Sequence, residues 1–137
     1  MAQPLELSKD GYEIQFATNH LGHALLIKKL LPTMAKTAKE PDSDVRILFL
    51  TSVAYMFHPS GGIQFSGLKT KQDFGIGGTW RRYGQSKLAN IVYPAELARR
   101  HPSITSVSLH PGVVKTDLLG NLGLRDKIFV YLGILGM

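Results

Sequence analysis

Tyr83 and Lys87 stand four residues apart in the run Tyr83-Gly-Gln-Ser-Lys87. In a helix that spacing brings a phenol and an ammonium out on one face. A free tyrosine titrates at about 10 and is a poor acid or base at neutral pH. A neighbouring positive charge favours the phenolate and lowers that value. The pair can then pass a proton to or from a substrate oxygen. By itself the spacing is a weak signal: five tyrosines and ten lysines in 137 residues give roughly a one-in-three chance of one such pair. A partly buried tyrosine beside a surface lysine would look the same.

Ser52 sharpens the reading. It falls just past a short run, Val45-Arg-Ile-Leu-Phe-Leu50, that is apolar, β-branched and aromatic enough to predict a strand. Open α/β sheets place their ligand sites at the C-terminal ends of strands. A hydroxyl there can donate to a carbonyl oxygen held beside the tyrosine, although a strand-end turn or cap is the common use of serine. A second strand is predicted over Ile104–Leu109, ending in His110-Pro111-Gly112-Val113-Val114-Lys115-Thr116. Proline and glycine there let the backbone turn sharply and approach a flat ligand.

The elements that must position these residues follow from periodicity. Asp10 to about Lys39 reads as a helix, with Tyr12, Phe16, Leu21, Leu25 and Leu26 near one face. Asp10 is the expected N-cap, with Glu13 three residues on in a capping-box arrangement, and Pro32 is expected to kink or end the helix. A loop follows from about His58 to Gly78, then a helix from Thr79 or Trp80 to about Arg100. Pro94 lies three turns into that helix, beyond Lys87, and should bend it at a cost of ~3 kcal/mol unless accommodated. A short helix is expected over Lys127–Leu135. Continuous apolar strands imply burial on both faces, as in a parallel sheet. Helix, strand, helix, strand is half of a doubly wound α/β sheet, and two strands need others to complete it.

Four segments together resemble the short-chain dehydrogenase/reductase superfamily over nearly the whole chain: Asn19-His-Leu-Gly-His, Arg46-Ile-Leu-Phe-Leu-Thr-Ser52, Tyr83-Gly-Gln-Ser-Lys87-Leu-Ala-Asn and His110-Pro-Gly-Val-Val-Lys-Thr116. Gly61-Gly-Ile-Gln-Phe and the wide Ser52–Tyr83 interval are most similar to the retinol dehydrogenase and WW-domain oxidoreductase branch. Protochlorophyllide reductases and fungal enzymes of secondary metabolism are similar around the tyrosine helix. The resemblance implies a partial Rossmann-like sheet and hydride exchange between NAD(P)(H) and a carbonyl or alcohol substrate. It makes Tyr83 the proton donor or acceptor, and Lys87 the group that lowers its pKa and holds the nicotinamide ribose. Ser52 would orient the substrate oxygen, and Asn19 would hold a water relaying protons from Lys87. Pro111, Val113, Val114 and Thr116 would line the nicotinamide, and NADP(H) is the expected form of the cofactor.

The family's opening strand and glycine-rich pyrophosphate turn have no counterpart here. Gly75-Ile-Gly77-Gly78-Thr-Trp80 has tryptophan where the third glycine should stand, and Lys69-Thr-Lys-Gln-Asp before it is no buried strand. It reads as a flexible loop. Residues 1–137 are therefore expected to be the catalytic portion of one Rossmann-type domain, lacking roughly two βα units of ~30 residues each at the front and cut at the far end as well. Such a chain alone lacks much of the usual grip on the cofactor. The residue that separates NAD from NADP, about 20 positions past the glycines, is missing with them. The competing expectation is a non-catalytic fragment or interaction module, or a chain completed by a homo-oligomer or a partner supplying the missing strands.

Composition bounds the alternatives. A chain with 44% hydrophobic and 19% charged residues is an ordinary globular one. The absence of cysteine excludes disulfides, thiolate catalysis and cysteine-ligated metals. No signal-peptide pattern is visible at the start, and the apolar Ile128–Met137 stretch is about half the length that crosses a bilayer. A cytoplasmic protein without a transmembrane span is expected. The charge of +6 comes as scattered pairs, Lys28-Lys29, Lys69/Lys71, Arg81-Arg82 and Arg99-Arg100, which read as solvated faces and not as a nucleic-acid surface. His20 and His23, three apart, read as helix-surface or core histidines, there being no third ligand for a metal.

Overall fold

A computed structural model of the chain describes Met1 and residues 3–112. Val113, Val114, Thr116 and the helix expected over Lys127–Leu135 lie outside the described residues. The order is a short helical turn α1 (Ile14–Phe16), a π-helical segment (Ala17–Leu21), helix α2 (Gly22–Thr37) and strand β1 (Arg46–Leu50). Two 3-10 turns (Val53–Phe57 and Phe65–Gly67), helix α3 (Gly78–Arg100) and strand β2 (Thr105–Leu109) follow.

β1 and β2 pair in parallel, Arg46 opposite Thr105 through to Leu50 opposite Leu109. A parallel pair needs a crossover, and the 3-10 turns and α3 supply it. The architecture is a partial Rossmann-like α/β unit. Ile47 and Phe49 of β1 pack with Leu97 and Ile104, and Ile27, Leu31, Met34 and Ala35 of α2 close over them with Tyr93 of α3. Each of the buried side chains Ile47, Phe49, Leu97 and Ile104 contributes about 1.5–3 kcal/mol. A second cluster, Phe16, Leu68 and Ala89 with Tyr12, Leu21 and Ile63, joins α1 to the loop and to the middle of α3.

Several sequence expectations need correction. Helix formation starts at Ile14, and Glu13 is the N-cap, its carboxylate accepting from the amides of Gln15 and Phe16 at 3.1 and 2.7 Å. Asp10 sits in the preceding turn. The carboxylate of Glu13 reaches these orphan amides directly, and that satisfies the helix end. Leu25 and Leu26 are exposed, because the π-helical segment turns the later helix so that Ile27 and Leu31 face the sheet. α2 and α3 each run through their proline, Pro32 and Pro94, without ending; packing on either side carries the helix past the missing N–H. The strands are covered on one face only among the described residues: Leu48 is 60% exposed while Ile47 beside it is buried. The apolar run predicted cover on both faces, but only the α2–α3 side has it here. Arg82, read as part of a solvated pair, is almost wholly buried against Glu13.

Candidate active site

The parallel pairing brings the ends of β1 and β2 to one edge. Ser52 lies two residues past β1, and Pro111 lies two past β2, where Gly112 takes φ +75°. α3 starts on the loop side of this edge, with Gly77 at φ +76° as its N-cap. Gly75–Gly78 therefore opens a helix. No strand precedes it among residues 53–77.

Gly84 brings the loop and helix together. A Cβ there would lie 2.6 Å from the Ala54 carbonyl oxygen and 2.8 Å from the His58 amide nitrogen. Only a glycine lets the turn after Ser52 sit this close to α3. The result places Ser52 within hydrogen-bonding reach of the Tyr83 phenol. Ser52 also does what serine at a strand end commonly does, its hydroxyl accepting from the Ala54 amide at 3.2 Å. Both uses of this residue hold at once.

Tyr83 is buried, and burial raises its phenol above the ordinary value; the Ser52 hydrogen bond partly offsets this. In this structure the net direction of the Tyr83 phenol is upward, with desolvation the largest cause. The ammonium lies over the ring, 5.6 Å from its centroid, as a cation–π contact, and desolvation dominates the phenol. Burial also lowers the Lys87 ammonium. Its Nζ donates to the Leu50 carbonyl at 3.1 Å, while its own carbonyl accepts from Thr51 Oγ1 at 2.8 Å. Trp80 stands edge-on to Tyr83 at 6.0 Å, and Phe57 edge-on to Trp80 at 6.5 Å, so aromatic rings wall the loop side. The Met1 ammonium is lowered by burial and by the charge of Lys87, which puts the first residue beside the same lysine.

Asn19 occupies the π-helical segment, a feature frequent at functional sites. Its side-chain amide donates to Ser86 Oγ at 2.9 Å, and Ser86 Oγ donates to the Tyr83 carbonyl at 2.7 Å. Its backbone carbonyl accepts from Asn90 Nδ2 at 3.0 Å, and the same amide donates to the Leu50 carbonyl at 3.1 Å. Asn19, Ser52, Tyr83 and Lys87 thus share one neighbourhood. Val113, Val114 and Thr116 lie outside the described residues, and Pro111 is exposed at the edge.

Sequence reasoning missed Asn90, Ser86, Thr51 and Gly84, and read His20 with His23 as a helix-surface or core histidine; the structure buries His20. Asn90 at three residues past Lys87 shares its helix face, a spacing that was open to inspection.

No family model matches the chain. An uncharacterized oxidoreductase of Schizosaccharomyces pombe is 49% identical over 121 residues, 86% of this chain and 35% of that protein. Short-chain dehydrogenase TIC 32 A, chloroplastic, of Brassica napus is 39% identical over 125 residues, 88% of this chain and 38% of that one. Human retinol dehydrogenase 14 is 38% identical over 117 residues, 84% of this chain and 32% of that one. The chain spans about a third of the length of these curated relatives.

Proposed function

We propose, for a chain that belongs to the short-chain dehydrogenase/reductase superfamily, that residues 1–137 are the catalytic portion of a single Rossmann-type oxidoreductase domain interconverting a carbonyl and an alcohol. The observation that carries this reading is a buried phenol, within reach of a strand-end hydroxyl and covered by a partly buried ammonium, at the C-terminal edge of a parallel sheet.

The residues present fit the nicotinamide-ribose end of a cofactor. The ammonium of Lys87 donates to a backbone carbonyl at that edge and can turn to ribose hydroxyls. Tyr83 lies beside it, and Pro111 stands two residues past β2 at the same sheet edge, with Val113, Val114 and Thr116 following in the chain. Among the described residues no glycine-rich turn follows a strand, so a pyrophosphate cradle is not part of this fit. When bound, NADP(H) or NAD(H) supplies or takes the hydride.

The chain's own residues handle the proton. Tyr83, held neutral by burial, donates its proton to the substrate oxygen in reduction, and Ser52 donates a second hydrogen bond that orients this oxygen and stabilises its developing charge. Lys87, held near the ring, supports the phenolate that remains. Asn19 and Ser86 fix the backbone of the Tyr83 turn, and a water on Asn19 would return a proton through Lys87. In the oxidation direction Tyr83 must first lose its proton, a step that burial opposes.

The substrate is a small carbonyl or alcohol compound, with secondary metabolites the first panel to try, in a cytoplasmic setting. No helix of the described residues is long and apolar enough to cross a membrane. A homo-oligomer or a partner chain completing the sheet would cover the exposed strand face. The test is NADPH- and NADH-dependent reduction of a carbonyl panel by wild type and by Tyr83→Phe. Turnover that falls by about 10²–10⁴ in the variant supports the assignment. Equal rates would remove Tyr83 from the chemistry, and a folded chain with no turnover on any carbonyl would favour a non-catalytic interaction module.

A further inference from the structure

His20 is buried inside an aromatic cage of Phe16, Phe49 and Tyr93, with ring centroids 5.2, 6.3 and 5.3 Å away. Its Nδ1 lies 2.9 Å from Asn90 Oδ1. The Asn90 amide nitrogen donates to two backbone carbonyls, Asn19 O and Leu50 O. Those two acceptors fix which way the Asn90 amide points, and its oxygen is left facing the imidazole. An amide oxygen only accepts, so His20 must carry its proton on Nδ1. The neutral ring, which burial favours, satisfies this as the Nδ1–H tautomer.

We propose that His20 and Asn90 are positioning residues, a strap that sets the place and basicity of Lys87 and the backbone of Asn19. The proposal rests on the reading of Lys87 as the site lysine. Three observations converge on it. Leu50 O is the carbonyl that receives both the Asn90 amide and the Lys87 ammonium, so the two donors share one acceptor. Asn19 O, the other carbonyl held by the strap, belongs to the π-helical segment that presents Asn19 to Ser86. His20 is the next residue in that same segment, so one peptide link joins the strap's buried end to the proposed relay residue.

The consequence for Lys87 has a definite direction. A carbonyl that already accepts from an amide is a poorer partner for an ammonium. Removing the Asn90 donor leaves Leu50 O to Lys87 alone. That change favours the charged form and raises the Lys87 pKa towards its ordinary value. The His20 ring acts one step away, by holding the amide in the orientation that serves both carbonyls.

The test uses the full 137-residue chain and does not require turnover. The rate of Lys87 acetylation by acetic anhydride is followed against pH by mass spectrometry, with the exposed Lys28 as internal reference. The midpoint of the profile reports the Lys87 pKa, independent of its accessibility. His20→Leu and Asn90→Leu should move the Lys87 midpoint upward while Lys28 stays in place. His20→Asn, whose amide nitrogen can stand where Nδ1 stood, should restore the wild-type midpoint. Unchanged midpoints in a His20→Leu chain with wild-type circular dichroism would overturn the proposal, as would a His20→Asn chain that behaves like His20→Leu. Should Asn90→Leu fail to fold, the two His20 variants decide alone. If Lys87 follows the predicted pattern while the wild type reduces no carbonyl, the strap stands and the proposed function fails.

Discussion

Two polar clusters flank Tyr83 on helix α3, and they are built differently. On one side Arg82 and Gln85, three residues apart, are sealed: Arg82 Nε lies 3.3 Å from Glu13 Oε1, in a charge contact whose angle makes it no hydrogen bond. The Arg82 guanidinium also donates to the carbonyls of Gln3 and Gln72. Gln85 ties Gln64 and Gln72 of the loop to the helix, and Gln72 is held at φ +49°, a left-handed conformation rare outside glycine. On the other side Lys87 and Asn90 are joined to Leu50, Asn19 and His20, but the ammonium and the phenol keep their working ends at the sheet edge. A cluster whose groups are turned inward on their neighbours can only hold parts together. A cluster that leaves a proton-bearing end at the edge can do chemistry. The first fixes the wall of the site, the second its reacting groups.

The sealed side should give the largest effect. Arg82→Leu strands the buried Glu13 carboxylate and should cost about 3–5 kcal/mol in urea unfolding; a loss within error would show that this pair is not what holds the loop. Gly84→Ala comes next, because the added methyl meets backbone, and about 1–3 kcal/mol of overpacking is expected. The same change should separate Ser52 from Tyr83, so the offset that Ser52 gives the phenol should vanish and its ultraviolet titration should shift upward.

The working side should reveal itself through pH. Burial holds His20 below its ordinary 6.5. A depressed folded pKa contributes stability that is present above the unfolded value and lost as pH falls through the folded one. The unfolding midpoint of the wild type should therefore decline from pH 7 to pH 5 more steeply than that of His20→Asn. A parallel decline in both would place the acid sensitivity elsewhere. Tyr83 has the opposite sign: its raised pKa contributes stability that is complete below about 10 and lost above it. The smallest effect belongs to neither cluster. Glu96, on the surface, is lowered to about 2 by Arg99 and Arg100, and Glu96→Gln should leave the unfolding midpoint at pH 7 unchanged, because solvent screens such surface pairs.

Much of this was legible in the sequence. The bounds of α3 and of both strands came within a residue or two, because Val45–Leu50 and Ile104–Leu109 are short β-rich runs bounded by turn residues. The Tyr83–Lys87 spacing and the place of Ser52 at a strand end were also readable. The π-helical segment was not read: Phe16 and Leu21, five residues apart, were placed near one face of an ordinary helix. Its consequence, that Leu25 and Leu26 turn outward and Ile27 and Leu31 turn in, depends on where the sheet lies. The Glu13–Arg82 pair was hidden because the two residues are far apart in sequence and an arginine pair looks solvated until the chain buries one member. The direction of the Tyr83 pKa was hidden for a similar reason: spacing shows that an ammonium is near, while desolvation depends on packing by Trp80 and the Ser52 turn. Asn90 was in view, but its value lies in two backbone carbonyls, and a sequence displays none of those.

The most direct test of the central claim uses Trp80, the one tryptophan of the chain, which stands 6.0 Å from Tyr83. Its emission is followed as NADPH or NADH is added to the folded 137-residue chain, wild type and Lys87→Met. The account predicts saturable quenching by at least one nucleotide, weaker than a complete cofactor site would give, and further weakened in Lys87→Met. No saturable quenching of the folded wild-type chain, or equal quenching in the variant, would contradict the placement of the nicotinamide end at Tyr83 and Lys87.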